Sequence, residues 1–143
     1  MKASVLDASV AIKWSVPAVG ENLVAEAFRV LDRYTAQELD FIVPDIFWAE
    51  IGNIFWKGVQ QRRWSSDSAE IAALKMRNRR FTAFPSEDLL VEALDIALAY
   101  NRTVYDCLYV ALAVRTSTDF ITADERLANA LAAYFPVKWL GVF

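Results

Sequence analysis

The chain contains no histidine. That excludes histidine-dependent triads, histidine-ligated zinc and imidazole acid–base catalysis. It has one cysteine, which excludes an internal disulfide and a cysteine-rich metal site. A reducing, cytoplasmic setting is the expectation. Glycine and proline are scarce, four of each in 143 residues, which speaks against disorder and for a compact, helix-rich fold. No apolar run reaches the ~18 residues a membrane span needs, so no membrane association is expected. The opening MKASVLDASV carries an acid within its apolar stretch, unlike a signal peptide. An excess of base is also missing, the net charge being −3. A protein that held nucleic acid by global charge would be basic, so an RNA partner would have to be met locally or through bound metal.

What is present is a core. Hydrophobic residues make up 56% of the chain, and a chain of this length hides roughly two-thirds of its unfolded surface. Short apolar strands are predicted at residues 3–6, 41–43, 80–84, 119–122 and 137–140. Helices are predicted at 8–16, closed by Pro17 and Gly20, and at 21–37, 46–62, 68–78, 87–100, 105–115 and 124–133. Asp45 is the expected N-cap of the third helix, one of Ser65, Ser66 and Asp67 that of the fourth, and Ser86 that of the fifth. Strands alternating with helices predict an α/β fold with a parallel sheet covered on both faces. No linker or repeat divides the chain, so residues 1–143 are read as one domain.

The acids are placed unusually. In open parallel sheets, ligands bind beyond the carboxyl ends of strands, where the strand order reverses. Asp7 ends the first predicted strand and Asp124 follows the fourth. Either could instead be a helix cap. Glu50 lies in IFWAEIGNIFW, apolar nearly all round, so this helix is expected to be largely buried. An acid there needs a partner, an arginine or a metal ion. Asp106 opens the apolar YDCLYVALAV, as a cap or as a ligand. Clustered carboxylates resist joint ionisation, and a divalent cation reverses that penalty. With only oxygen ligands on offer, Mg²⁺ or Mn²⁺ fits, as one or two ions that would activate water and offset charge on a phosphoryl group.

VLDAS, VPDIFWAEIGN, YDCLYVALA and FITADERL occur in this order. Together they resemble the PIN-domain ribonucleases, in particular the VapC toxins of toxin–antitoxin pairs, and the resemblance covers essentially the whole chain. It implies a five-stranded parallel sheet of order 3-2-1-4-5 and Mg²⁺- or Mn²⁺-dependent endonucleolytic cleavage of RNA. It also implies a homodimer and a cognate antitoxin partner. Asp7, Glu50, Asp106 and Asp124 match the family's acidic quartet. Asp7 and Asp106 are the leading direct ligands; Glu50 and Asp124 complete the set, directly, through water or on a second ion. Ser9 and Thr122 match hydroxyl residues supporting the site, and Asn53 a polar neighbour. Glu125 stands where some relatives carry a further Asp and is left outside the set. Cys107 is read as a small buried side chain.

Two basic bunches, KGVQQRRW (57–64) and KMRNRR (75–80), could meet RNA phosphates or be solvated faces. Their candidates are Arg62, Arg63, Lys75, Arg77, Arg79 and Arg80. Lys13 and Arg126 are added for their closeness in sequence to the acids. Trp48, Trp56 and Trp64 recur every eight residues, as core or as a surface for an antitoxin helix or a second subunit. A catalytically silent RNA- or partner-binding module is the alternative to the nuclease. A phosphorelay receiver is disfavoured because FTAFP offers no Asp after the third strand. A haloacid-dehalogenase-type phosphatase is disfavoured because Ser9 stands where its second Asp would be.

Overall fold

The computed structural model describes residues 1–15 and 21–143. The strands are β1 (Lys2–Leu6), β2 (Leu39–Pro44), β3 (Thr82–Phe84), β4 (Asp119–Thr122) and β5 (Val137–Trp139). The helices are α1 (Ala8–Ala11), α2 (Val24–Thr35), α3 (Ile46–Gln60), α4 (Ser66–Arg77), α5 (Ser86–Tyr100), α6 (Val104–Thr116) and α7 (Glu125–Leu131). The five strands form one sheet in the order β3-β2-β1-β4-β5, and every pair is parallel. The expected α/β fold, strand order included, is therefore found. The order reverses between β1 and β4, which opens the crevice. No described helix is long and apolar enough to cross a membrane.

Register decides which helix covers which face. Ser4 pairs with Phe41, and Val5 pairs with Phe120. Successive residues point to opposite faces, so Phe41 and Phe120 do too. Tyr34 of α2 stacks on Phe41 at 5.0 Å, and Trp14 lies 5.7 Å from it. On the other face Tyr109 of α6 stacks on Phe120 at 5.2 Å. Cys107 through Ala113 are buried without a break, because α6 lies between the sheet and α5. Hence the near-continuous apolar run of α6, where α2 shows a one-sided stripe.

The scarcity of glycine shows at helix ends. Gln37, Arg62, Arg80, Asn101 and Ser117 each follow a helix with φ between 54° and 60°, the left-handed conformation in which glycine is usual. Each turns the chain within three residues of the helix it closes.

Several boundaries differ from expectation. The first helix is short: after α1 the chain tightens into a 3-10 turn over Ile12–Trp14. The cause is inward side chains, since Trp14 Nε1 donates to the Ala27 carbonyl at 2.8 Å. The expected closure at Val16, Pro17 and Gly20 lies outside the described residues. α2 starts at Val24 instead of Glu21 because Leu23 holds a φ of 58°. β2 reaches back to Leu39 past Asp40, whose carboxylate accepts the Phe41 N–H. Arg80 lies outside β3, its φ of 54° belonging to the turn after α4. Ser65 caps α4, accepting the Ser68 N–H. Asp45 does not cap α3; it accepts the backbone N–H and hydroxyl of Ser86, tying the entrance of α5 to that of α3. Ser86 is the first residue of α5, not its cap.

Candidate metal centre at the carboxyl ends of β1 and β4

Asp7 follows β1 in an extended conformation, and its side chain makes no capping bond to α1. The carboxylate is thus not spent on the helix. Its Oδ2 accepts two hydroxyls, Ser9 Oγ at 2.9 Å and Thr122 Oγ1 at 2.6 Å. Each hydroxyl in turn accepts a backbone N–H from the turn after β4. Ala123 donates to Ser9 and Asp124 to Thr122, both at 3.0 Å. Thr122 is fully buried. This web locks the ends of β1 and β4 together and clamps one oxygen of Asp7, leaving Oδ1 outside it.

Glu50 lies on α3, five residues after Asp45. No cation pairs with it among the described residues; its partner is the Tyr109 hydroxyl, which donates to Oε1 at 2.7 Å. Asp106 stands in the first turn of α6, but the cap there is Thr103, whose hydroxyl accepts the Asp106 N–H. Asp124 does cap, accepting the Leu127 N–H at 3.1 Å, and its side chain is exposed. The cap explanation therefore holds for one oxygen of Asp124 and fails for Asp7 and Asp106.

Electrostatics join the four. Burial pushes Asp7 up to about 6, against the pull of the Thr122 and Ser9 hydroxyls, and the Asp106 charge raises it further. Burial pushes Glu50 up to about 7, the Tyr109 bond opposing and the charges of Asp7 and Asp106 adding. Asp106 is raised by burial and by Asp124, with Thr103 and Arg102 pulling the other way. Every shift includes repulsion from another member of the quartet. Among the described residues none of the four joins a salt bridge. Nor do three acids there already converge closely enough to grip an ion.

Other candidates divide. Asn53 lies on the exposed side of α3 with Ala49, Gly52 and Trp56, so that helix is less enclosed than its composition suggested. Lys13 is not available to RNA: it is buried, its Nζ held by Glu21 Oε2 at 3.0 Å and the Asn22 carbonyl at 2.9 Å. Arg62, Arg63, Lys75, Arg77 and Arg80 are exposed. Arg62 lies past the end of α3, whose last residue, Gln60, is about 15 Å along the helix from Glu50. Arg79 is half-buried over the Trp14 ring. Arg126 is exposed, and its carbonyl accepts the Arg102 guanidinium at 2.7 Å. Trp48 stacks on Phe81, and Trp64 lies against Phe55 with Nε1 bonded to its carbonyl. Of the three tryptophans only Trp56 is exposed, so they form no common surface. Cys107 is buried and its thiol is pushed up to about 11 by burial, which makes it inert.

Two residues escaped the sequence reading. Tyr109 looked like one more apolar position on α6, and only its hydroxyl marks it out. Arg102 precedes α6 in what reads as a helix break, and it brings positive charge to Asp106.

The PIN domain family matches residues 4–131. Ribonuclease VapC3 of Pyrobaculum aerophilum is 30% identical over 131 residues, covering 90% of this chain and 95% of that protein. Among solved structures, one from Pyrobaculum aerophilum aligns with a TM-score of 0.66 at 17% identity, covering 99% of this chain and 91% of that one. A toxin–antitoxin complex from Klebsiella pneumoniae aligns at 0.63 and 18%, covering 94% and 95%. At those identities the structures speak for the fold alone, and the fold is the one described. With the family matched over nearly its whole length, the chain belongs to the PIN-domain family, in its VapC branch.

Proposed function

We propose that the chain is an endoribonuclease that cleaves RNA phosphodiester bonds with a divalent metal ion, and that it serves as the toxin of a toxin–antitoxin pair. One observation carries the reading: the charges of Asp7, Glu50 and Asp106 act on one another beyond the ends of β1 and β4, Asp124 acts on Asp106, and none of the four forms a salt bridge among the described residues. The donor set is all oxygen, which suits Mg²⁺ or Mn²⁺. Asp7 and Asp106 are the leading direct ligands, with Glu50 and Asp124 beside them. Because no three acids among the described residues yet converge, binding would draw these side chains together.

A divalent ion held there supplies a water of lowered pKa and offsets the charge of the reacting phosphoryl group. The chain's own residues prepare for it. Ser9 and Thr122 fix one oxygen of Asp7 and present the other. Arg102, whose charge reaches Asp106, is the cation beside the crevice, and Arg126 and the distant bunches at 62–63 and 75–80 serve as outlying phosphate contacts.

The test is direct. Purified protein with Mn²⁺ cleaves structured RNA, and Asp7→Asn abolishes cleavage while the protein stays folded. Undiminished cleavage by that variant would remove the site assignment. The silent binding module draws its support from the unconverged acids; absence of Mn²⁺ heat in calorimetry would favour it.

The remaining parts of the reading are a homodimer, a cognate antitoxin, a cytoplasmic location and one PIN-like domain over residues 1–143. The row Leu90, Val91, Leu94 and Leu98, exposed along α5, supports a protein partner of some kind. The single sheet that collects strands from Lys2 to Trp139 supports the single domain.

A further inference from the structure

We propose that Tyr109 is a positioning residue that holds the Glu50 carboxylate for the metal ion through its phenol hydrogen bond. The inference rests on the metal-site reading above and assigns a role to a side chain outside the quartet.

Phenylalanine would fill the same space. The ring is buried and stacked on Phe120, which explains an aromatic residue but not a hydroxyl. A buried hydroxyl without a partner is costly. Here it has one, Glu50 Oε1 at 2.7 Å, a short, charge-assisted contact. Glu50 is a long side chain on a half-exposed helix, with much rotamer freedom to lose. Among the described residues the phenol is its only hydrogen-bond partner. Clamping Oε1 leaves Oε2 to face the crevice's other acids.

The placement of the phenol supports this. Tyr109 lies one turn after Asp106 on α6, so the two move as one body. The charges of Asp7 and Glu50 both reach the phenol. It therefore lies among three of the four acids. The device matches the treatment of Asp7, which is held by two hydroxyls. A lysine or arginine in either place would hold the carboxylate just as firmly but would cancel its charge and compete with the ion. A neutral donor orients the carboxylate and leaves its charge for the metal.

The experiment is calorimetric titration of the whole chain with Mn²⁺, for the wild type, Tyr109→Phe, Glu50→Gln and the double variant. Removing such a supporting hydrogen bond is expected to weaken Mn²⁺ binding about 10- to 100-fold, with the circular dichroism spectrum unchanged. Glu50→Gln should weaken it at least as much, and the double variant should be no weaker than Glu50→Gln alone. Wild-type affinity in Tyr109→Phe alongside a loss in Glu50→Gln would overturn the role of Tyr109 and leave the site reading standing. Losses that multiply in the double variant would also overturn it, since Tyr109 would then act elsewhere. Wild-type affinity in Glu50→Gln would sink both. Should Tyr109→Phe not fold, Glu50→Asp carries the test. It keeps the charge but withdraws the carboxylate from the phenol, so it should lose similar affinity, and full affinity would overturn the proposal.

Discussion

The crevice makes the metal-free protein a weaker structure at neutral pH than in mild acid. Asp7 moves from 3.8 to about 6 on folding, and Glu50 from 4.5 to about 7. A folded carboxyl with a raised pKa takes up protons that the unfolded chain releases. Between pH 4 and 7 the native state therefore binds more protons, and stability falls as pH rises. Each displacement is worth about 3 kcal/mol in full. Both groups keep some contact with water, so about 1–2 kcal/mol apiece is the working figure. Asp119, held below the usual carboxylate range between Lys138 and Lys2, acts in the opposite sense but titrates at lower pH. Urea denaturation in a chelating buffer at pH 5, 6, 7 and 8 should therefore show stability dropping by about 1–2.5 kcal/mol across the series, the rest of the loss falling below pH 5. Asp7→Asn should flatten the slope and raise stability at pH 8 by about 1–2 kcal/mol. Excess Mn²⁺ at pH 8 should stabilise the wild type by mass action and do less for the variant. Metal-free stability that is level or rises over this range, or an Asp7→Asn variant less stable than the wild type at pH 8, would refute the reasoning.

Two further predictions concern the scaffold. A Cβ at Gly58 would stand 1.8 Å from the Trp64 ring, so Gly58→Ala must expel that ring; overpacking costs about 1–3 kcal/mol, and better helix propensity returns about 1. Urea denaturation should find a net loss of about 1 kcal/mol, and an equally stable variant would mean that the ring moves freely. Ser117→Gly should gain about 0.5–1 kcal/mol, because an exposed serine held at φ 55° is strained there and glycine is not; a lowered midpoint in thermal unfolding would count against this.

Strand positions were legible because β1, β2 and β4 are short apolar runs, each closed by a polar residue or proline. The strand order came from the resemblance, and the sheet bears it out. What the sequence concealed was where side chains turn. Lys13 looked like a cation close enough to Asp7 to meet RNA, yet Glu21 and Asn22 hold it inside. Eight-residue spacing suggested one tryptophan face, but only Trp56 stays on the helix surface; Trp64 folds back over Gly58 after the turn at Arg62. Asp45 looked like a cap for its own helix, while its carboxylate serves Ser86, remote in sequence. Such pairings are tertiary, and no local pattern encodes them. Tyr109 shows the limit most sharply: periodicity assigns its ring to the core correctly and is silent about its hydroxyl.

The arrangement of partners suggests how the acids are kept unneutralised at a limited cost to the fold around them. Cations are used elsewhere in the molecule: Asp119 lies between Lys2 and Lys138, and Glu92 is met by Arg115. In the crevice the nearest partners are hydroxyls and backbone N–H groups, from Ser9, Thr122, Tyr109 and the turn at Ala123 and Asp124. Hydroxyls satisfy the buried oxygens, so the desolvation cost is reduced, but they leave net negative charge in place. Had arginines filled these positions, the same acids would be stable ion pairs with little call for a metal. The choice of neutral donors at Asp7 and Glu50 is thus what separates a structural cluster of acids from one kept ready for a cation.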